Sequence, residues 1–148
     1  MNIDYDIRKI EKNERDTAIS LVWEVFQKYE APDYSDEGVA EFRKTISDDN
    51  FISNLSYRGA FTEDKIIGII ATRSEGTHIA LFFVDGAYQG NGIGKSLFNT
   101  VKSECPSDKI TVNSSPYAVP IYHKLGFTDT DTEQVVNGLR FTPMECKL

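Results

Sequence analysis

The stretch Gln89-Gly90-Asn91-Gly92-Ile93-Gly94-Lys95 is the strongest constraint on this chain. It lies between an apolar run, His78 to Val84, and a helical apolar stripe at Ile93, Leu97, Phe98, Val101 and Cys105 that Pro106 ends. A chain that turns from a buried strand straight into a helix leaves unpaired backbone N–H groups at the helix start, at the positive end of its dipole. Glycines remove the Cβ atoms that would hold an anion away from those groups. The segment therefore predicts an anion site at a strand-to-helix junction. A turn that only redirects the chain is the competing expectation.

Two familiar phosphate loops do not fit. The dinucleotide fingerprint Gly-x-Gly-x-x-Gly needs its third glycine one residue later, and the strand signal Lys109–Val112 ends without an acidic ribose ligand. The nucleotide P-loop needs glycine where Gln89 stands, and no later strand supplies a magnesium-binding aspartate in the right order.

The rest of the chain reads as alternating elements. Ile3, Tyr5 and Ile7 predict a strand over Ile3–Ile10, with Asn13 capping the helix that follows. Ala18, Val22, Val25 and Tyr29 share a face of that helix, widened by Ile19 and Phe26, and Pro32 stops it. Ser35 begins a second helix carrying Val39, Phe42 and Ile46. Ser56–Thr62, Ile66–Thr72 and His78–Val84 predict an antiparallel meander, whose last two strands are apolar on both faces and require helices on each side. Tyr117–Leu125 predicts a short helix closed by Gly126. Asn137-Gly138 predicts a type I′ hairpin between Gln134–Val136 and Leu139–Leu148, and Pro143 predicts an edge or a bulge in the last strand. The expectation is an α+β sandwich in one domain, residues 1–148: a mixed, mostly antiparallel sheet of about seven strands with about four helices on both faces.

Composition narrows the function classes. The net charge of −7 argues against nucleic acid as a partner and suits a solvated acidic surface, with attraction of a cationic substrate as the second reading. No apolar run reaches membrane-spanning length, and Met1 to Arg8 lacks the apolar core of a signal peptide. Two cysteines, Cys105 and Cys146, form no metal or disulfide pattern, and His78 and His123 offer no ligand spacing. A reduced, cytoplasmic protein without metal is expected.

Gln89-x-x-Gly92-x-Gly94 matches the signature Arg/Gln-x-x-Gly-x-Gly/Ala of the GNAT superfamily of N-acetyltransferases. Phe83-Val84 before it, Asn113 after the next strand, and Tyr122-His123-Lys124-Leu125-Gly126-Phe127 extend the resemblance, which is densest over residues 66–127. The resemblance implies a sheet splayed between strands 4 and 5, with the pantetheine arm of acetyl-CoA in the split against Phe82, Phe83 and Val84. It implies a pyrophosphate on the N–H groups of Gln89, Gly90, Asn91, Gly92, Ile93, Gly94 and Lys95, and an arm contact at Asn113. Plain core packing of Phe82 and Phe83, a solvated Lys95 and a strand-end Asn113 are the simpler readings beside these.

Tyr122 shares a predicted inward helix face with Ala118, Ile121 and Leu125. A core tyrosine is the simpler account. The resemblance places its hydroxyl beside the cofactor sulfur, as proton donor to the leaving thiolate. The Val84 N–H is the expected oxyanion donor. For deprotonating the amine, Glu24, His78, Asp85 and an ordered water stay open. The acceptor pocket is expected at Tyr29, Asp33, Tyr34 and His78, near Arg140 and Phe141, where the aromatic faces of Tyr29 and Tyr34 and the acidic Glu24, Glu30 and Asp33 suit a small-molecule or peptide amine; an ordinary acidic loop explains them equally. The expected function is acetyl-CoA-dependent N-acetyl transfer, and the alternative is a non-catalytic acyl-CoA-binding or regulatory module of the same fold. A homodimer through the last strand or its edge is a further implication of the resemblance alone.

Overall fold

The computed structural model describes residues 3–148. β1 (Asp6–Lys9) is shorter than the alternation suggests and pairs antiparallel with the strand starting at Ser56. The helix that follows, α1 (Arg15–Val25), is not capped by Asn13, which lies inside a 3-10 turn over Lys12–Glu14. The Glu11 N–H donates to the Glu14 carboxylate there (2.9 Å), so the turn supplies its own closure. α2 (Asp36–Ile46) starts at Ser35 as predicted, the Ser35 hydroxyl accepting the Gly38 N–H at 3.2 Å. An unpredicted α3 (Asp49–Ser53) is capped by Asp48, whose carboxylate accepts from Asn50 and Phe51. Its five residues are too few to show a periodic stripe.

The meander forms as β2 (Ser56–Thr62), β3 (Lys65–Arg73) and β4 (His78–Val84), all antiparallel. β3 buries Ile69 and Ala71 in the core beneath α1 and α2, and Ile67 and Ile70 in a second core beneath α4 (Ile93–Glu104). That two-sided burial is why its sequence is apolar without alternation. The chain continues as β5 (Lys109–Ser114), α5 (Val119–Leu125), β6 (Thr128–Asp129), β7 (Gln134–Val136) and β8 (Leu139–Lys147). The sheet order is β1-β2-β3-β4-β5-β8-β6, with β7 also on β8. Eight strands and five α-helices lie among the described residues; the two-residue β6 and the short α3 are those the sequence pattern left out.

Asn137 (φ 52°) and Gly138 (φ 81°) form the predicted primed turn. Pro143 marks neither a bulge nor a sheet edge. β8 lies between β5 and β6, in unbroken register with β5. The Pro143 carbonyl accepts the Thr130 N–H (2.8 Å) just past the end of β6, and the imide nitrogen faces the same side, so no ladder bond to β5 is lost. β8 is thus paired by β5 along Thr142–Lys147 and also by β7 at Leu139–Phe141 and by β6 at Met144 and Glu145.

Candidate active site

Among the described residues the one parallel pair, β4 with β5, is joined at just two positions, His78↔Thr111 and Ile79↔Val112. Beyond Ile79 the strands diverge. The Asp85 N–H donates to the Ile67 carbonyl (2.8 Å), so by alternation Phe83 turns its backbone groups toward Ile69 of β3, while Val84 and Phe82 turn theirs into the split. Buried backbone groups without a strand partner require another one. The Gln89 side-chain amide already supplies one, donating to the Val84 carbonyl at 3.1 Å.

That bond ties the glycine loop to the end of β4. Asp85 accepts the Ala87 N–H (2.9 Å) and the Asn91 side chain donates to the Tyr88 carbonyl (3.0 Å), fixing the approach to α4. Gly90 and Gly92 have φ of 83° and 79°, and a Cβ on either would meet nothing within 4 Å. Open volume therefore lies where other residues would carry side chains. Gly92 caps α4 with no side chain of its own, so the first N–H groups of this 12-residue helix lack a capping partner.

Two cavities open from the split. A loop-side cavity of about 360 Å³ runs from Gly90, Gly92 and Gly94 past Val84 to Tyr122. A hairpin-side cavity of about 380 Å³ runs from Tyr122 along β4 to His78 and Arg73, walled by the β7–β8 hairpin. Glu30, Phe82, Phe83, Ala118 and Tyr122 line both. Tyr122 is buried and held edge-on by Phe82 (ring centroids 6.0 Å) and Phe127 (5.1 Å). Burial, with the Glu30 carboxyl adding to it, drives its phenol far above the ordinary range, so the hydroxyl stays protonated.

The split thus holds a two-chamber cleft with an uncapped glycine loop at one end. Residues 30–148 match the family model described as an acetyltransferase (GNAT) domain. The chain belongs to the GNAT acetyltransferase family. None of the curated proteins compared matches it. Among solved structures it is similar to a GCN5-related N-acetyltransferase from Rhodopseudomonas palustris, with a TM-score of 0.86 at 19% identity over 100% of this chain and 99% of that one. It is also similar to the PaiA N-acetyltransferase from Thermoplasma acidophilum (TM-score 0.79, 21% identity, 99% and 100% covered) and to YjaB from Escherichia coli (0.77, 21%, 97% and 97%). Identities this low establish a shared fold.

In this acetyltransferase the residues singled out from the sequence fall in distinct places. Phe82, Phe83, Val84, Gln89, Gly90, Gly92, Ile93 and Gly94 line the loop-side cavity, while Asn91 and Lys95 are exposed beside it. Asn113, Tyr34 and His78 line the hairpin side. His78 shares a hydrogen bond with Thr111 (2.8 Å), and burial beside Arg73 lowers its imidazole to about 4. Glu24 and Asp85 face a separate groove with Asp64 and Lys65, away from both cavities. Ile121 does not join the buried face of α5; it is 45% exposed and lines the loop-side cavity, one helical step from Tyr122.

Tyr29 and Asp33 line neither cavity. The tyrosine ring packs against Tyr117 (5.6 Å) and over Gly86, and Asp33 offers only its carbonyl, to Arg140 (3.0 Å). The cause is a π-turn over Phe26–Glu30, in which the Ala31 N–H bonds the Phe26 carbonyl. A turn closed five residues back holds one more residue than an α-turn. It brings Glu30, not Tyr29, to the seam between the cavities. Burial there pushes the Glu30 carboxyl up to about 7, against a hydrogen bond from Ser115 that lowers it. A 3.6-residue periodicity carries no signal of this shift. Among the described residues no cluster of His, Cys, Asp and Glu could hold a metal ion, and no helix is long and apolar enough to cross a membrane.

Proposed function

We propose that this acetyltransferase moves an acetyl group from acetyl-CoA to a primary amine of a small molecule or peptide, by direct attack of the amine on the thioester. The observation that carries the reading is the position of Tyr122 at the seam of two cavities, one ending on the glycine loop and one lined by the hairpin. The loop side suits the donor. The uncapped start of α4 and the open space over Gly90 and Gly92 fit a diphosphate, with exposed Lys95 adding charge. The split-facing backbone of Phe82 and Val84 fits the amide-rich pantetheine arm. PaiA and an aminoglycoside 6′-N-acetyltransferase of the same fold are each described in complex with coenzyme A, which supports the assignment.

The chain's own groups then divide the work. The cleft brings thioester and amine together, and positioning of this kind accounts for several kcal/mol of a typical acceleration. The Val84 N–H, directed into the split, donates to the carbonyl oxygen as it becomes an oxyanion. Tyr122, held protonated by burial, gives its proton to the departing thiolate. The hairpin-side cavity receives the acceptor, with Tyr34 and His78 in its wall and Glu30 and Glu41 offering negative charge to an amine.

Thermal unfolding with added ligands tests the donor half. Acetyl-CoA at 100 times its Kd stabilises the protein by about 2.7 kcal/mol, whereas ATP and NAD at equal concentration leave it unchanged. Thiol release against primary amines, polyamines, amino acids and peptides tests the acceptor half. No stabilisation by acetyl-CoA, or release that no amine accelerates, overturns the proposal.

A further inference from the structure

We propose that Glu30 is the general base of the reaction, taking the proton from the acceptor's ammonium group in the hairpin-side cavity before the amine attacks. The inference rests on the acetyl-transfer reading given above. Most alkylamines are protonated at neutral pH and carry no lone pair for attack, so the cleft needs a proton acceptor on the amine side of Tyr122. Among the carboxylates of the described residues, Glu30 alone lines both cavities, beside the same Phe82, Phe83 and Tyr122 that bound the reaction point. The other acidic candidates, Glu24 and Asp85, face a different groove. His78 lies four residues up β4 from Phe82, roughly 13 Å at ordinary strand rise, with one ring nitrogen engaged by Thr111.

The backbone supports the role. The π-turn over Phe26–Glu30 replaces the regular end of α1 and runs into a 3-10 turn over Ala31–Asp33; such turns are rare and concentrate where they place a side chain at a functional site. The groups facing the Glu30 carboxyl come from several elements. Asp33 follows on the next turn with Tyr34 beyond it. Tyr117 and Tyr122 approach from the α5 side, and Ser115 donates from the loop after β5. Burial, with the Asp33 charge adding to it and the Ser115 hydrogen bond opposing it, holds the carboxyl at about 7, where a base both accepts and releases a proton readily.

The protons balance. The Glu30 carboxylate takes one from R–NH3⁺, giving R–NH2. The nitrogen attacks the thioester carbon, forming the C–N bond. The C–S bond then breaks, Tyr122 protonates the thiolate, and the proton leaving the amide nitrogen restores Tyr122. The net products are acetamide, thiol and one proton, which Glu30 passes to solvent.

Glu30→Gln, Glu30→Asp and Ser115→Ala in the full chain test this. Calorimetry with acetyl-CoA comes first: wild type that binds none defeats the acetyl-transfer reading itself. With binding intact, Glu30→Gln lowers kcat by about 100-fold or more for the amine giving the fastest thiol release, and Glu30→Asp restores part of it. Ser115→Ala moves the acid limb of the kcat/KM profile to higher pH. Carboxyl ¹³C NMR of the wild type, which needs no acceptor, shows one glutamate titrating near 7 that is missing in Glu30→Gln. A glutamine variant with raised KM and unchanged kcat marks Glu30 as an anchor for the ammonium and overturns the base assignment, as does Glu30 titrating in the ordinary carboxylate range.

Discussion

Gly38 and Gly138 touch through their backbones: a Cβ on Gly38 would overlap the Gly138 carbonyl oxygen, and one on Gly138 would lie 2.5 Å from the Gly38 nitrogen. The first turn of α2 thereby holds the tip of the β7–β8 hairpin. The Tyr34 hydroxyl, donating to the Arg140 carbonyl (3.2 Å), and the Arg140 guanidinium, donating to the Asp33 carbonyl, fasten the same clasp. Asn137, Leu139, Arg140 and Phe141 beyond it wall the hairpin-side cavity. Gly38→Ala forces the two segments apart. It should cost about 1–3 kcal/mol in urea unfolding and raise acceptor KM while leaving acetyl-CoA affinity at the wild-type value. A rise in the Kd for acetyl-CoA instead would show that the hairpin is not confined to the acceptor side.

Tyr122→Phe keeps the ring that Phe82 and Phe127 hold and removes only the hydroxyl. Among the described residues that hydroxyl makes no hydrogen bond within the protein, so the fold loses little. Turnover should fall by about 100-fold with the Kd for acetyl-CoA nearly unchanged, measured by thiol release and calorimetry. Wild-type turnover in this variant would take Tyr122 out of the chemistry.

Gly38 and Glu30 mark the limit of what the sequence shows. The glycine loop, the meander and the Asn137-Gly138 turn were legible because each rests on a local rule: positive φ, short apolar runs bounded by turn residues, primed-turn twist. Gly38 gave no signal, because its need for a bare Cα comes from a residue 100 positions away in the chain. Glu30 is legible in the sequence only as one acidic residue of the acceptor region, and its place at the seam has a local cause. Ala18, Val22 and Val25 establish an α-helical stripe that extends to Tyr29, and only the π-turn, closed by tertiary packing around Phe26, rotates the next residue into the cleft.

Gly92→Ala separates the two roles of the loop. At φ 79° an alanine costs about 1–2 kcal/mol in backbone strain, and its methyl group enters the open volume at the start of α4. Affinity for coenzyme A should fall at least tenfold. Affinity for pantetheine, which lacks the diphosphate, should not change. Equal losses for both ligands would place the diphosphate elsewhere.

Glu30 also sets a pH dependence of stability whose sign is opposite to that of most carboxylates. Its carboxyl titrates near 7 in the fold against 4.5 in the unfolded chain. Between those values the native state holds a proton that the unfolded state has lost. The contribution to stability is therefore complete below pH 4.5 and disappears as pH rises through 7. Glutamine is neutral throughout, so Glu30→Gln should gain on wild type across this window, reaching about 1–3 kcal/mol above pH 7. His78, lowered to about 4 from 6.5, acts the other way, its contribution being full above 6.5 and lost as pH falls through 4. It is present in both proteins and cancels in their difference. Urea unfolding of the pair at pH 4.5, 6 and 8 measures the gap, and a gap that stays constant over the three would mean that Glu30 ionises as freely in the fold as in the open chain.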